Sequence, residues 1–173
     1  MKDSTKKIVL TALYIALFII LSIYATINFQ GLKITIQNLP IYVAAITLGA
    51  IPGAIVGFAG MLVNQIITYG FTATTLFWVL PQTILGAVCG YIFENNIVKM
   101  KHTHRFWATI IILQILVTIL NTVVYAIDAI MFSYYNYLVI FGPIILRLMA
   151  SILTGIVYCV VIPLIVDIVK KIH

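Results

Sequence analysis

The chain has 173 residues, of which 64% are hydrophobic and only 8% are charged, and its mean hydropathy is +1.19. This composition excludes a soluble domain and predicts one integral membrane domain of the all-α class, residues 1–173. The net charge of +6 would suggest nucleic-acid binding in a soluble protein. Here the basic residues flank hydrophobic stretches, so they indicate membrane topology, and we expect a lipid bilayer rather than nucleic acid as the partner.

Six hydrophobic stretches follow one another along the chain and predict six transmembrane helices. They cover residues 8–27, 38–49, 54–69, 76–93, 106–131 and 143–169. Between the first two, residues 28–37 alternate in polarity and contain a glycine, which predicts an ordered loop that folds back over the bundle. Residues 51–53 read Ile-Pro-Gly and predict a tight turn between the second and third helices.

The basic residues also predict which side of the membrane each loop faces. Eight of the ten Lys and Arg residues lie at the termini or in the polar segment 94–105. Six spans put both termini and this segment on one side, which the positive-inside rule makes cytoplasmic. The sequence thus predicts a multi-pass protein of the cell membrane. The two exceptions are Lys33, in the first outer loop, and Arg147, one turn inside the sixth span.

The fifth span carries a stripe of polar residues on one helical face. Spacings of four, three, four and three place five residues there: Gln114, Thr118, Asn121, Tyr125 and Asp128. An ionisable group within a membrane span faces the bundle interior or a water-filled cavity. We interpret Gln114 and Thr118 as interhelical hydrogen-bonding residues. Asn121, Tyr125 and Asp128 fit either that role or a ligand site.

Other spans bring polar and aromatic residues to the same outer half, which predicts a ligand pocket open to the outside rather than a channel. The candidate substrate-binding residues are Arg147, Asp128, Tyr125, Asn121, Asn64, Gln65, Tyr69, Phe71, Trp78, Gln82 and Lys33. Arg147 either pairs with Asp128 or binds a carboxylate or phosphate-like group of the ligand. The outer half contains two basic residues, Lys33 and Arg147, and one acid, Asp128, so it carries one excess positive charge. We therefore expect a carboxylate-bearing, aromatic ligand such as folate.

The sequence contains no motif for catalysis, and no cofactor or metal is expected. Cys89 and Cys159 lie apart within hydrophobic stretches, and the GxxxxGK[ST] loop that holds ATP is missing. With Asp128 as the only plausible intramembrane acid for catalysis and no intramembrane histidine, a membrane-embedded hydrolase or protease is disfavoured. The other alternative is a structural or assembly subunit of a membrane complex, which would need no convergent polar residues.

Ala12 and Ala16 lie four residues apart on the first span and form an AxxxA element. This element, the chain length, the six spans, the capping first loop and the outer-half pocket occur together. In this combination the chain resembles the substrate-binding S components of energy-coupling factor (ECF) vitamin transporters. Residues 39–57, 70–72 and 143–147 are most similar to the folate-type branch. The resemblance implies that Ala12 and Ala16 dock on a transmembrane coupling subunit. It also implies that two separate ATPase subunits supply the energy and that this chain binds a vitamin without chemistry.

Overall fold

The computed structural model describes residues 2–29, 32–93 and 104–172. Within these ranges the chain forms seven helices, with a two-stranded antiparallel hairpin between the first and the second. The helices are α1 (Lys2–Tyr24), α2 (Leu39–Leu48), α3 (Ala50–Tyr69), α4 (Thr75–Phe93), α5 (His104–Met131), α6 (Tyr137–Phe141) and α7 (Ile144–Ile172). The strands of the hairpin are β1 (Thr26–Phe29) and β2 (Leu32–Thr35).

Five of the helices (α1, α3, α4, α5 and α7) are long and apolar enough to cross a membrane. The sixth apolar helix, α2, has ten residues. At about 1.5 Å per residue α2 is about 15 Å long, roughly half of a hydrocarbon core of about 30 Å. The predicted all-α membrane bundle is confirmed, and its second span is a half-length helix.

Several helix ends lie together at one end of the bundle. Gly90 near the end of α4 lies against Ala50 at the start of α3. The thiol of Cys159 in the middle of α7 lies 3.7 Å from the carbonyl oxygen of Trp107 near the start of α5, so the last part of α7 extends toward the end of the bundle where α5 begins. We call this the termini end. The hairpin and the connections 70–74 and 132–136 lie at the opposite end, which we call the hairpin end.

The chain reverses between α2 and α3 at a single residue, Gly49. Its φ of +104° lies in the region that favours glycine, and its N–H donates to the carbonyl of Ala45. Residues 51–53 belong to the first turn of α3, so the predicted turn at these positions is wrong. Proline is compatible with a first helical turn because the N–H that it lacks has no partner there.

The second crossing of the bundle combines the end of the hairpin with α2. The hydroxyl of Tyr158, in the middle of α7, donates to the carbonyl oxygen of Thr35 at 3.4 Å. The end of β2 therefore reaches the centre of the bundle, which refines the predicted capping loop at 28–37. Non-helical backbone is tolerated at membrane depth where it is buried in protein or lines a cavity, and Thr35 lines a cavity.

Close packing of α3 on α4 fixes the depth of the polar residues on both helices. A Cβ atom added to Gly86 would lie 2.1 Å from the carbonyl oxygen of Gly53, and one added to Gly57 would lie 2.2 Å from that of Gln82. The two backbones are thus in direct contact, as small residues permit in membrane helices. This contact places Gln82 of α4 beside Gly57 of α3.

Candidate functional site

A cavity of about 370 Å³ lies near the centre of the bundle, between residues 35–38, just before α2, and helices α3, α4, α5 and α7. We call it the deep cavity. Most of its lining side chains are polar, with few large apolar ones. They are Thr35, Gln37, Asn38, Met61, Trp78, Gln82, Gln114, Val117, Thr118, Asn121, Thr122, Tyr125, Arg147, Ala150, Ser151 and Thr154.

A second cavity, of about 540 Å³, lies toward the hairpin end, and we call it the rim cavity. Its lining is richer in aromatic side chains and includes the acid of the α5 stripe. The lining residues are Met61, Asn64, Gln65, Tyr69, Gly70, Thr72, Thr75, Trp78, Tyr125, Asp128, Phe132 and Tyr134. Met61, Trp78 and Tyr125 line both cavities, so these three side chains form the boundary between them.

Five buried side-chain amide oxygens have no hydrogen-bond partner in the described part of the chain. Four of them line the deep cavity and one lines the rim cavity: those of Gln37, Asn38, Gln82 and Asn121, and that of Gln65. Buried polar groups are normally hydrogen-bonded, and an unpaired one costs about 1–3 kcal/mol. All five residues line a cavity, so each brings an amide group next to whatever occupies it.

The first two residues of the α5 stripe have different partners. The Gln114 side-chain oxygen accepts a hydrogen bond from the hydroxyl of Tyr42 in α2 at 3.3 Å, as expected for an interhelical contact. The Thr118 hydroxyl instead donates to the Gln114 carbonyl at 3.0 Å, within its own helix. The interhelical interpretation therefore holds for Gln114 and is wrong for Thr118.

Arg147 lies on the first turn of α7 and lines the deep cavity. Its Nη1 donates to the carbonyl oxygen of Ile140 in α6 at 3.2 Å. Its Cζ lies 5.5 Å from the centroid of the Tyr125 ring, which is cation–π geometry. The carbonyl occupies one of the five N–H donors of the guanidinium, so further donors remain for a ligand.

Asp128 has three donors on its two carboxylate oxygens. They are the hydroxyls of Thr74 and Tyr134 and the indole N–H of Trp78, the last at 3.4 Å. Asp128 and Arg147 form no ion pair with each other in the part of the chain that the structure describes. The ion-pair interpretation of Arg147 is therefore wrong. Asp128 instead ties the end of α5 to the start of α4 and to the connection 132–136.

Most of the predicted site residues lie around the two cavities. Arg147, Asn121 and Gln82 line the deep cavity, and those that line the rim cavity or both are Asn64, Gln65, Tyr69, Trp78, Tyr125 and Asp128. Phe71 lines neither cavity and is 74% exposed, because the connection 70–74 turns its side chain outward. The Lys33 side chain lies outside what the structure describes. Which of these residues bind a ligand stays a prediction.

Many of the lining residues were not among the candidates, and two of them could have been found from their spacing. Ser151 and Thr154 follow Arg147 at spacings of four and three, so the three share one face of α7. Thr35 could not be found in this way, because its depth depends on the contact with Tyr158.

Ala12 and Ala16 are exposed along α1. Their neighbours Leu13 and Leu17 are also exposed, at 52% and 39%. This apolar surface is open to lipid or to another membrane helix. Whether Ala12 and Ala16 dock on a partner stays a prediction.

A protein-family model described as ECF-type riboflavin transporter, S component, matches residues 2–171. No curated protein matches the chain individually. The match covers nearly the whole chain and confirms the resemblance to ECF S components, whereas the folate-type branch is not confirmed. The protein is thus a multi-pass membrane protein that binds a vitamin-type substrate for an ECF transporter and is not an enzyme. The chain belongs to the family of ECF-type riboflavin transporter S components.

Proposed function

We propose that this chain binds riboflavin in the deep cavity and presents it to the other ECF subunits for import. The observation that carries the proposal is the set of four buried amides around this cavity whose oxygens have no partner among the described residues. The description of the matching family, a riboflavin transporter component, supports the same substrate.

The chemistry of riboflavin is complementary to these side chains. One edge of its flat ring system carries two carbonyl oxygens with an N–H between them. A side-chain amide offers both an acceptor and donors, and a guanidinium offers only donors. Gln82, Asn121 and Arg147 therefore suit such an alternating edge. The flat faces of Trp78 and Tyr125 suit the faces of the ring, and both cavities fall in the range of about 300–1,000 Å³ usual for small-molecule sites.

Charge favours a neutral flavin over the folate-like ligand expected from the sequence. Arg147 is the only basic residue among the described residues that line either cavity. Folate carries two carboxylates, and Asp128 in the rim cavity would repel one of them. Burying a charge without a partner is unfavourable, whereas the carbonyl groups of a neutral flavin need only a donor. Folate-like ligands are the second candidate, supported by Arg147 alone.

We also propose that the termini end faces the cytoplasm and that the rim cavity faces the outside. The exposed basic residues Lys6, Lys7 and Arg105 at the termini end support this orientation through the positive-inside rule. In the same proposal, Ala12 and Ala16 contact the transmembrane coupling subunit, and two ATPase subunits supply the energy. A membrane-impermeant thiol reagent should label Tyr135→Cys but not Arg105→Cys in intact cells; the opposite labelling would reverse the orientation.

Identification of the ligand that co-purifies with the protein tests the substrate. The protein is purified in detergent from cells grown with riboflavin and folate, and the bound small molecules are extracted and identified by absorbance and mass spectrometry. We expect riboflavin in near-stoichiometric amount, and much less from a Gln82→Leu variant. Recovery of a folate without any flavin would overturn the proposal in favour of the second candidate.

A further inference from the structure

We infer that the rim cavity is a second subsite for the same ligand: it holds the hydroxylated chain of the flavin while the ring occupies the deep cavity. The inference rests on the proposed function and extends it, because it fixes the direction in which the ligand lies. It also assigns Asp128 and Gln65 to the recognition of the hydroxylated chain of the flavin.

The two cavities adjoin at a boundary that a flat ligand can cross. The rings of Trp78 and Tyr125 line both cavities, with centroids 6.4 Å apart and planes inclined by 43°. A flat group stacked between the Trp78 and Tyr125 rings would lie about 3.5 Å from each, so the two rings would need to be about 7 Å apart. A flat group can therefore lie between the rings once they separate slightly and rotate toward parallel, and a narrow flexible chain needs less adjustment.

The rim cavity offers hydrogen-bond acceptors that suit hydroxyl groups. The Gln65 side chain is only 4% exposed, lines this cavity, and has an amide oxygen without a partner in the described chain. Asp128 accepts three hydrogen bonds, and a carboxylate can accept about four, so one position remains for a ligand hydroxyl. The hydroxyl side chains of Thr72 and Thr75 also line the cavity.

The charges of the two cavities disfavour the opposite orientation. The deep cavity carries the guanidinium of Arg147, which can only donate, and the rim cavity carries the carboxylate of Asp128, which can only accept. A reversed flavin would place its two ring carbonyls near the carboxylate. Only the N–H between these carbonyls could donate to Asp128, so both carbonyl oxygens would be desolvated there without a donor. Hydroxyl groups beside Asp128 avoid this penalty.

A matched pair of variants, each measured with two ligands, tests the inference. Gln65→Met and Gln82→Met remove the same group from the rim cavity and from the deep cavity, at side chains that are 4% and 1% exposed. The ligands are riboflavin and lumiflavin, which keeps the flavin ring but has a methyl group in place of the chain. Binding to the purified protein is followed by quenching of flavin fluorescence, and thermal unfolding verifies that each variant is folded.

We expect Gln65→Met to weaken riboflavin binding about tenfold and to change lumiflavin binding by less than about twofold. Gln82→Met should weaken both ligands by the same factor. If Gln65→Met does not fold, Asp128→Asn should show the same difference between the two ligands. Equal loss of both ligands, or no loss, in a folded rim-cavity variant would overturn the inference while the proposed function stands. Failure of the unmodified protein to bind either flavin would overturn both.

Discussion

The guanidinium of Arg147 lies over the ring of Tyr125, with Cζ 5.5 Å from the ring centroid. Tyr125 lines both cavities, so this contact joins the one described cation of the deep cavity to the boundary with the rim cavity. Nη1 of the same guanidinium donates a hydrogen bond to the Ile140 carbonyl at 3.2 Å. The cation is thus positioned before any ligand arrives.

Replacement of Arg147 should therefore weaken ligand binding. Hydrogen bonds to a charged group contribute about 1.5–3 kcal/mol, so we expect Arg147→Met to raise the Kd for riboflavin about 10- to 100-fold. Arg147→Lys should recover only part of the affinity, because an ammonium lacks the planar array of donors. Titration calorimetry measures both variants. Wild-type affinity in Arg147→Met would show that the guanidinium serves only Tyr125 and Ile140.

Loss of Asp128 should destabilise the hairpin end of the bundle. Its carboxylate holds Thr74, which is 1% exposed, and also Trp78 and Tyr134. Asp128→Ala leaves the buried Thr74 hydroxyl without this partner, and we expect a loss of about 1–3 kcal/mol. Tyr134→Phe removes a single exposed bond and should have a smaller effect. Thermal unfolding in detergent compares the two, and equal melting temperatures for Asp128→Ala and the unmodified protein would contradict the expectation.

A methyl group at Gly86 should disrupt the packing of α3 on α4. The added Cβ would lie 2.1 Å from the Gly53 carbonyl oxygen, a backbone atom that cannot rotate away. Overpacking of this kind costs about 1–3 kcal/mol or more, and it would also displace Gln82 from the deep cavity. We expect Gly86→Ala to lower both the melting temperature and the riboflavin affinity.

The matched control for this variant is Gly155→Ala. Its added Cβ would lie 3.3 Å from the side-chain atom Cγ1 of Ile111, which can shift by a few tenths of an ångström. Gly155→Ala should therefore change both measurements much less. A Gly86→Ala protein with unchanged melting temperature and affinity would show that the helices separate at little cost.

A bulky residue at position 16 should separate docking from ligand binding. Ala16 is exposed on α1, and close helix approach requires a small residue. We expect Ala16→Trp to abolish co-purification with the coupling subunit while riboflavin affinity stays within about twofold, since both cavities lie away from this face. Ala108→Trp, at an exposed position on α5, is the control and should co-purify normally. Normal co-purification of Ala16→Trp would remove Ala16 from the interface.

Features that depend on local periodicity could be predicted from the sequence, whereas features that depend on tertiary contacts could not. Spacings of three and four put the α5 stripe on one face, and the structure places Asn121 and Tyr125 of that stripe at the deep cavity. The partner of Asp128 was open, because the sequence does not tell which of several nearby donors reaches a carboxylate. Its three donors come from the connection 70–74, from α4 and from the connection 132–136.

The turn between α2 and α3 illustrates a different difficulty. Pro52 and Gly53 are typical of turns, but both are also compatible with the first turn of a helix that packs closely on its neighbours. Gly49, with its positive φ, makes the reversal instead. The folate-like expectation came from charge accounting that included Lys33, a residue whose side chain lies outside what the structure describes.

The central claim is that the deep cavity binds a neutral flavin through its unpaired amides, and a competition titration tests it most directly. Riboflavin is titrated into the purified protein and its fluorescence is followed, alone and with excess folate or lumiflavin; the same titration is run on Asn121→Leu. We predict saturable quenching at one flavin per chain, competition by lumiflavin but not by folate, and a Kd raised about tenfold or more in Asn121→Leu. Displacement of riboflavin by folate at equal concentration, or unchanged affinity in a folded Asn121→Leu protein, would contradict it.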